Sequence, residues 1–522
     1  MAAVAQRPPT VTRRGVGGAA RDGFANLVGV GLAAAAGFAL NIVITRGWSI
    51  REAGVFFAAT SAFAIAYNIA RMGTGAGSVY FLSRHRTLDQ RERIRATVAV
   101  GLGPVLAVGL LLAVGGWWAA AWLASVIFPD AGSGGVTTLR ILFAFVPLAA
   151  ASDYALAACR GFGKMRPLLL VERVGRNLLQ FLLVALAAWL GLSATAGLPL
   201  AWAAPYLLAA TVALAWLALL VRRASRKVPT PPVRLRQEFA PFWRFTGPRA
   251  LSSLAQIVVQ RLDIVLLSAL RGAADAAIYT AATRFLALGQ LSSLALSSSV
   301  QHRLAASLAT DDRAETRGLY QTATGWLVLL AWPAYLLFAA FAEPMLALFG
   351  EQYLAGRWVV VLLAATMLLA TACGMVDTVL NMAGKTAWTF YNALAGATIN
   401  VVGNLLLIPP YGFLGAAAAW AAAILTTNVV PLIQLWWSMR LHPFGHGTLA
   451  AMALATVCFG APLGAAILLG APVAGLAAVA IFSTAAYAAG AWRLRATLHL
   501  DALRELRRRR NRSGSPPPAP AA

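Results

Sequence analysis

The sequence predicts an all-α polytopic membrane protein with fourteen transmembrane helices, arranged as two pseudo-symmetric six-helix bundles with two extra C-terminal helices. Three observations support this prediction: the composition is strongly apolar, apolar windows of helical length recur along the chain, and part of the first half recurs in the second half. Because 60% of the 522 residues are hydrophobic and only 12% are charged, a soluble globular protein is excluded.

Apolar windows predict the helices in order, since a membrane-spanning helix needs about 20 apolar residues. The first six windows are 24–45, 53–73, 98–124, 137–159, 168–190 and 198–221. The next six are 247–269, 274–297, 320–342, 358–382, 387–408 and 413–438, and the last two are 449–470 and 473–492. The domains predicted from them are a cytoplasmic N-terminal segment (1–23), an N-terminal lobe (24–221), a basic cytoplasmic linker (222–246), a C-terminal lobe (247–438), helices 13 and 14 (449–492) and a basic, proline-rich cytoplasmic tail (493–522).

The positive charges indicate how the helices are oriented, because Lys and Arg are retained on the cytoplasmic side of a membrane. Fourteen spans place both termini on one side, and most of the 43 Lys and Arg residues fall in the termini and loops of that side. The loops of the opposite side contain only four basic residues, which are Arg46, Arg51, Arg271 and Arg357. The sequence therefore predicts cytoplasmic termini, and the net charge of +25 marks membrane insertion and not nucleic-acid binding.

An internal repeat predicts the two bundles. Residues 52–60 resemble residues 275–283, and the turn at Gly163-Lys164 resembles the turn at Gly384-Lys385 at nearly the same offset. Six helices separate the members of each pair, so both copies enter the membrane in the same direction. This arrangement predicts two bundles related by an axis along the membrane normal, and transporters built in this way bind substrates between their halves near the midplane.

Charged side chains inside the predicted spans are the functional candidates, because a charge near the bilayer centre costs several kcal/mol unless it faces a cavity or a partner. Arg261 lies near the middle of the seventh span, and Arg284 lies about 15 Å into the eighth. The planar arginine fork binds phosphate well, so an anionic phosphorylated headgroup is the expected ligand. The predicted substrate-binding residues are Arg261, Arg284, Arg249, Arg173, Arg176 and Arg71.

Charge pairing is the structural alternative for several of these residues. Arg261 could be neutralised by Asp263 or Asp377 across or along helices. Arg176 could be neutralised by Glu172, which lies four residues earlier on the same helix.

Two further alternatives concern helix ends and coupling ions. Arg71 and Arg249 lie near helix ends, where a long side chain can reach the membrane surface without binding a ligand. The acidic residues Asp153, Asp263 and Asp377 could pair with arginines or serve as coupling sites for H+ or Na+.

No metal site or cofactor site is expected. The three cysteines lie in apolar runs and suit neither a disulfide framework nor a zinc site. Gly384-Lys385-Thr386 lacks the earlier glycine of a P-loop. The Gly73–Gly77 segment follows a helix and not a strand, so it is not a dinucleotide motif, and we expect it to loosen the inner end of the second helix.

Several short motifs resemble those of the Wzx-type polysaccharide flippases. They are the Ile408–Trp420 stretch, the Leu348–Tyr353 stretch, the Gln260–Leu267 run, and Glu52-Ala-Gly followed by Arg71-Met-Gly-Thr-Gly. These flippases belong to the multidrug/oligosaccharidyl-lipid/polysaccharide (MOP) exporter superfamily, and the likeness extends from about residue 23 to residue 441.

The resemblance implies a V-shaped bundle of the MATE and MurJ type in the bacterial cytoplasmic (inner) membrane. It implies a flippase that moves an undecaprenyl-diphosphate-linked oligosaccharide by alternating access, for cell-surface polysaccharide biosynthesis. Arg261 and Arg284 match the family's basic cavity residues by helix and depth. The partners it implies are the lipid-linked glycan and membrane lipids, with H+ or Na+ and the polysaccharide polymerase machinery as further candidates, and no nucleic acid.

Three alternatives for the function stay open at this point. A flippase for lipid II, the peptidoglycan precursor, would need the same diphosphate chemistry. A drug/cation antiporter of the same superfamily would need an acidic, aromatic cavity, which the arginines argue against. An integral membrane glycosyltransferase or polymerase would need a larger loop or domain for its catalytic side chains, and the longest predicted loop has about two dozen residues. A transporter without enzyme activity is therefore expected.

Overall fold

The secondary structure of the chain is helical wherever it is described. The computed structural model describes residues 31–130, 132–225, 234–310 and 312–501, and these contain α-, 3₁₀- and π-helices and no strand. The prediction of an all-α polytopic fold is confirmed. Residues 1–23, most of the predicted linker's first half and most of the predicted tail lie outside the described residues.

The contacts divide the chain into two compact units, which meet in sequence between Ile257 and Val258. We call them unit 1 and unit 2. The division falls inside one long helix, Leu235–Arg271, which begins within the predicted linker. The lobe boundaries at 221, 247 and 438 stay predictions.

Unit 1 consists of nine helices and the first part of a tenth, together with one π-helical segment, Leu168–Arg176, over its described residues. Proline lies in the first turn of α6, at Pro147, where its missing N–H is not needed for a hydrogen bond within the helix. The helices are α1 (Gly31–Gly47), α2 (Ile50–Arg71), α3 (Thr74–Thr87), α4 (Glu92–Ile127), α5 (Gly132–Ala144), α6 (Val146–Gly161), α7 (Asn177–Trp189), α8 (Gly197–Ala203), α9 (Pro205–Ser225) and α10 (Leu235–Arg271).

Unit 2 contains the remaining helices and two irregular helical segments, the 3₁₀ segment Glu351–Gly356 and the π segment Thr456–Gly460. The α16–α17 hairpin is tightly packed, and α12 contacts both α14 and α18. The helices are α11 (Ala273–Ala309), α12 (Arg313–Ala340), α13 (Ala342–Ala347), α14 (Arg357–Ala372), α15 (Val376–Met382), α16 (Thr386–Tyr411), α17 (Phe413–Met439), α18 (His446–Ala455), α19 (Ala461–Leu468) and α20 (Val473–Arg493).

Eleven helical stretches of the described chain are long and apolar enough to cross a membrane. All fourteen predicted windows lie on helices, or on helix pairs with a short break, over their described residues. Three predicted windows are not among the eleven. The described helix of the first window, Gly31–Gly47, is short. The fifth window begins with a charged π segment, and the second half of the eighth window is rich in serine. The count of fourteen spans therefore stays a prediction.

The internal repeat is visible as the same turn in both units. Gly163 follows α6 with φ of 71°, and Gly384 follows α15 with φ of 75°, a conformation that glycine adopts without steric cost. In each turn the lysine after the glycine donates its backbone N–H five residues back, over 3.0 Å, to Cys159 in unit 1 and to Leu380 in unit 2. This bond is typical of the Schellman end of a helix.

The glycine segment after α2 breaks the helix, but close packing holds the break in place. Met72 and Gly73 both have positive φ, 46° and 66°, so α2 ends at Arg71 and α3 starts at Thr74. A Cβ on Gly73 would lie 2.7 Å from the backbone N of Ala250 on α10. The helix is thus interrupted where the sequence predicted a loosened inner end, and Gly73 in addition permits a tight helix contact.

A buried carboxylate anchors the first part of α10 to unit 1. Glu238 is 2% exposed and accepts a 2.9 Å hydrogen bond from Nη1 of Arg93 on α4. Its other oxygen lies 3.2 Å from Nε2 of His85 on α3 and 3.4 Å from the hydroxyl of Thr97. Phe242, one turn further along α10, is fully buried. Residues four apart share a helix face, so polar and apolar contacts together fix this face of α10.

The Ile408–Trp420 stretch, one of the motifs that carried the family resemblance, packs against the connection between α10 and α11. Gly412, between α16 and α17, has φ of 57°, and a Cβ there would lie 2.9 Å from Oδ2 of Asp275 at the start of α11. Arg271 at the end of α10 donates to the backbone oxygen of Pro409 over 3.3 Å. Tyr353 is 2% exposed. The Ile408–Trp420 stretch therefore has a structural role at the connection between α10 and α11.

Replacing Gly73 with alanine tests the tight contact between α2 and α10. We expect Gly73→Ala to lower the free energy of unfolding by about 2 kcal/mol, because it adds left-handed backbone strain and a backbone clash. Gly75→Ala is the matched control, since a Cβ there meets only the Ala157 methyl at an ordinary 3.7 Å. Thermal unfolding in detergent measures both, and equal stability of the two variants would contradict the packing described.

Candidate functional site

An ion pair joins the end of α2 to α6 in unit 1. Nη1 of Arg71 lies 3.4 Å from Oδ2 of Asp153, and both side chains are about a third exposed. The guanidinium of Arg71 also lies 5.8 Å from the ring centre of Tyr67. Two of the predicted site residues are therefore brought together as partners, and Asp153 offsets the charge of Arg71.

Arg176 is held by several partners at the end of the π segment. It donates to Glu172 over 2.6 and 2.9 Å and to Oε1 of Gln180 over 2.8 Å. Its guanidinium lies 4.9 Å from the ring centre of Tyr206, a distance at which a cation and an aromatic face attract each other. The pairing of Arg176 with Glu172 is therefore present, and Arg176 is the most fully satisfied of the predicted arginines of unit 1.

Three further arginines of unit 1, Arg140, Arg160 and Arg173, each have a buried Nε atom that lacks a hydrogen-bond partner among the described residues. Arg173 lies on the π segment, and Arg160 lies near the end of α6. The guanidinium groups of Arg160 and Arg173 repel each other electrostatically, and Arg160 is attracted by Asp153. Sequence reasoning assigned Arg160 to a loop and missed it. Only its place next to the predicted turn at Gly163 could have indicated it.

This group, Arg71, Arg160, Arg173 and Arg176 with Asp153 and Glu172, is called the unit 1 basic cluster below. It contains four guanidinium groups and two carboxylates, so positive charge is in excess. Part of it lies on a π segment, and such segments occur frequently at functional sites because the wider turn re-aims side chains.

An aromatic group adjoins this cluster through Tyr67 and Tyr206. The ring of Phe63 lies 5.4 Å from that of Trp202, edge to face, and 5.6 Å from that of Tyr206. Tyr67 stacks on Phe63 at 6.3 Å. Sequence analysis did not identify these aromatic residues, because nothing in a single helix shows that rings from α2, α8 and α9 meet.

In unit 2 the carboxylate of Asp263 is buried and hydrogen-bonded. It is 3% exposed, accepts a 2.6 Å bond from the hydroxyl of Tyr279 on α11 and accepts a 2.8 Å bond from the backbone N–H of Ile264. Arg261 attracts it electrostatically. Arg261 thus offsets the charge of Asp263, and the carboxylate is also stabilised by a tyrosine hydroxyl that the sequence analysis had not considered.

Arg284 shares the electrostatic environment of Arg261 and Asp263. It is repelled by the first and attracted by the second. Its Nε atom is buried and has no hydrogen-bond partner among the described residues. Arg261, Asp263 and Arg284 form what we call the unit 2 charge cluster, which again has more arginines than carboxylates.

Two other predicted site residues, Arg249 and Asp377, belong to neither cluster. Arg249 is exposed, donates to the backbone oxygen of Phe245 on its own helix over 2.9 Å and lies 3.9 Å from the centre of that ring. Asp377 is exposed in the first turn of α15. Because α10 begins at Leu235 and ends at Arg271, Arg249 lies in the interior of the helix, and the prediction that it lies near a helix end is wrong.

Family models and solved structures give the chain's relatives. A family model described as a polysaccharide biosynthesis protein matches residues 19–301, which is more than half of the chain. A second model, described as MatE, matches residues 248–406. No curated protein matches the sequence.

Three solved structures show the fold. A structure described as lipid II flippase MurJ in an inward closed conformation has a TM-score of 0.70 at 12% identity and covers 90% of this chain and 98% of that one. An inward-facing multidrug resistance MATE family transporter of the MOP superfamily has a TM-score of 0.61 at 16% identity, with coverage of 80% and 94%. A MOP superfamily transporter from Pyrococcus furiosus, whose binding pocket is described as reversed in polarity, has a TM-score of 0.52 at 16% identity, with coverage of 82% and 94%. The predicted resemblance to the superfamily is confirmed.

Removing the Tyr279 hydroxyl tests whether it satisfies the buried carboxylate of Asp263. We expect Tyr279→Phe to lower the free energy of unfolding by about 2 kcal/mol, because a buried charged acceptor loses a hydrogen bond. Tyr335→Phe is the matched control, since the Tyr335 hydroxyl has no partner among the described residues although the side chain is equally buried. Chemical denaturation in detergent compares them, and a control as destabilised as Tyr279→Phe would argue against the assigned role.

Proposed function

Because the chain belongs to the polysaccharide biosynthesis protein family and has the MOP superfamily fold, we propose that it is a flippase for a lipid-linked oligosaccharide. The substrate proposed is an undecaprenyl-diphosphate-linked glycan for cell-surface polysaccharide biosynthesis, moved across the bacterial cytoplasmic membrane by alternating access. The observation that carries this proposal is the excess of arginine over carboxylate in the unit 1 basic cluster and the unit 2 charge cluster.

The chemistry of the diphosphate supports this choice of substrate. Guanidinium groups present several N–H donors in a plane and bind phosphate oxygens through paired, charge-assisted hydrogen bonds. Arg160 and Arg173 in unit 1 and Arg284 in unit 2 have buried donors that no described residue accepts. We propose that these donors, together with those of Arg261, bind the diphosphate at different stages of transport.

The other predicted arginines have supporting roles in this proposal. Arg71 and Arg176 are engaged by Asp153 and Glu172, so they position the cluster and add to its positive potential. Arg249 attracts the anionic headgroup near the membrane surface.

The aromatic group beside the unit 1 basic cluster supports a glycan as the rest of the cargo. Trp202, Tyr206 and Tyr67 combine an apolar ring with a polar group, so they can contact both the faces of sugar rings and their hydroxyls. Within the proposed mechanism the lipid chain stays in the bilayer while the headgroup crosses.

The alternatives differ in the chemistry they require. Lipid II is also a diphosphate-linked glycan, so the same arginines suit it, and only the sugar distinguishes it from an exopolysaccharide unit. A drug/cation antiporter would need carboxylates in excess, the reverse of both clusters. Coupling to H+ or Na+ through Asp153, Asp263 or Asp377 is compatible with the flippase, and Asp377 is the most exposed of the three. No catalytic role is proposed for any residue.

The orientation proposed follows from the basic helix ends. Both termini are proposed to be cytoplasmic, together with the α3–α4 connection, the end of α9 and the end of α20, each of which contains several arginines. Polymerase machinery at the opposite surface is a proposed partner.

Neutralising the unsatisfied arginines tests the proposal. We expect Arg173→Gln and Arg284→Gln each to reduce the flipping rate at least tenfold, since each removes a charged phosphate donor of about 1.5–3 kcal/mol. The measurement uses proteoliposomes with a fluorescent undecaprenyl-diphosphate oligosaccharide and an impermeant quencher. Arg95→Gln is the control, because Arg95 is exposed at the start of α4. Folded variants that flip as fast as this control would refute the assignment.

A further inference from the structure

A polar cavity in unit 2 is not part of either charge cluster. It has a volume of about 270 Å³ and lies between α12, the start of α18 and the turn that follows α20. Its polar lining comes from Gln321, Thr322, His446, Thr497 and His499. In the proposed orientation, these three elements meet at the cytoplasmic end of the bundle.

The walls of the cavity are fixed by packing. Leu498 is 3% exposed and packs with Val328 of α12 and Ala451 of α18 in one apolar cluster. Its backbone oxygen accepts a 2.9 Å hydrogen bond from Nε1 of Trp326. A Cβ on Gly447 would lie 2.8 Å from the backbone oxygen of Thr497, so the turn after α20 approaches α18 as closely as a backbone can. The packing of these three elements therefore defines the shape of the cavity.

The chemistry of the lining favours an anion. Two imidazoles, two hydroxyls and an amide line the cavity, and no carboxylate does. Arg317 on α12 and Arg495 in the turn after α20 are exposed, and Arg317 donates to the backbone oxygen of the exposed Arg440 at the end of α17 over 3.1 Å. An anion in the cavity would therefore meet hydrogen-bond donors and a positive surrounding potential.

Aromatic residues place the cavity at the level of the membrane surface. The guanidinium of Arg440 lies 5.7 Å from the ring centre of Trp436, and that of Arg495 lies 5.2 Å from the ring centre of Trp492. Tryptophan beside arginine at the ends of membrane helices is typical of the headgroup region. A ligand in this cavity is thus within reach of lipid headgroups.

We propose that the cavity binds the phosphate of an anionic glycerophospholipid from the bilayer. Basic pockets between membrane helices bind such headgroups through charge and hydrogen bonds. The lipid would bridge α12, α18 and the turn after α20, and so hold α18 and the end of α20 against α12. The chain's own tail is excluded as the occupant because residues 504–512 are rich in arginine and would be repelled. Only the choice of leaflet rests on the proposed function.

Gly318 offers a sharp test, because it lines the cavity and a Cβ there meets no atom within 4 Å. We expect Gly318→Glu to bind phosphatidylglycerol about fivefold more weakly than the isosteric control Gly318→Gln, since each charge near a headgroup contributes about 1 kcal/mol. Native mass spectrometry of the purified full chain, titrated with phosphatidylglycerol, measures both. Equal affinity of the two variants would overturn the proposal.

A second pair of measurements identifies the ligand source. His446→Gln combined with His499→Asn should also weaken phosphatidylglycerol binding, and asparagine tolerates the φ of 52° at position 499. Phosphatidylcholine should bind several-fold more weakly than phosphatidylglycerol to the unmodified protein. Equal binding of the two lipids would overturn the proposal, and so would displacement of phosphatidylglycerol by millimolar inorganic phosphate, which would indicate a soluble anion. These binding measurements need no flipping, so they stand or fall separately from the proposed function.

Discussion

The need to offset every charge inside an apolar helical bundle constrains the rest of this structure. A buried carboxylate without a partner costs several kcal/mol, and each one in the described chain is accompanied by a specific donor. Glu238 has Arg93 and His85, and Asp263 has Tyr279. The contacts of Glu238 join residues far apart in sequence, and that of Asp263 joins consecutive helices, so they decide which helices pack together as well as how the carboxylates are stabilised.

The arginine charges in the two clusters are not fully balanced by carboxylates. In both charge clusters the carboxylates are engaged, while donors of Arg160, Arg173 and Arg284 are buried without an accepting residue. Arginine cannot lose its proton to escape this cost, in contrast to lysine. An anionic ligand relieves it, and a diphosphate offers several oxygens to several guanidinium groups at once. The structural cost of the surplus charge is therefore the basis of the proposed specificity.

Local sequence features predicted much of this architecture. The helical windows follow from apolar composition, and the matched turns at Gly163 and Gly384 follow from a repeat that requires left-handed glycine in both copies. The Glu172–Arg176 pair also follows from spacing, because residues four apart share a helix face. These features depend on neighbours within one helix, which a sequence pattern records directly.

The features that the sequence did not predict depend on contacts between helices. Glu238 is one acidic residue in a basic segment, and only the packing of α10 against α3 and α4 shows that it is buried. Arg160 belongs to the unit 1 basic cluster through its place opposite the π segment, and π geometry has no simple sequence signature. The Gly73 segment was predicted to loosen the helix end, but the close approach of Ala250 to Gly73 depends on the packing of another helix and was not predicted.

The central claim is that surplus arginines recognise the diphosphate of a lipid-linked glycan. The most direct measurement compares the affinity of the purified protein for an undecaprenyl-diphosphate-linked oligosaccharide with its affinity for the same oligosaccharide on uncharged undecaprenol. The account predicts that the diphosphate lipid binds at least tenfold more tightly, and that combining Arg160→Gln with Arg173→Gln removes most of this preference. Equal affinity for the charged and uncharged lipids would contradict the account.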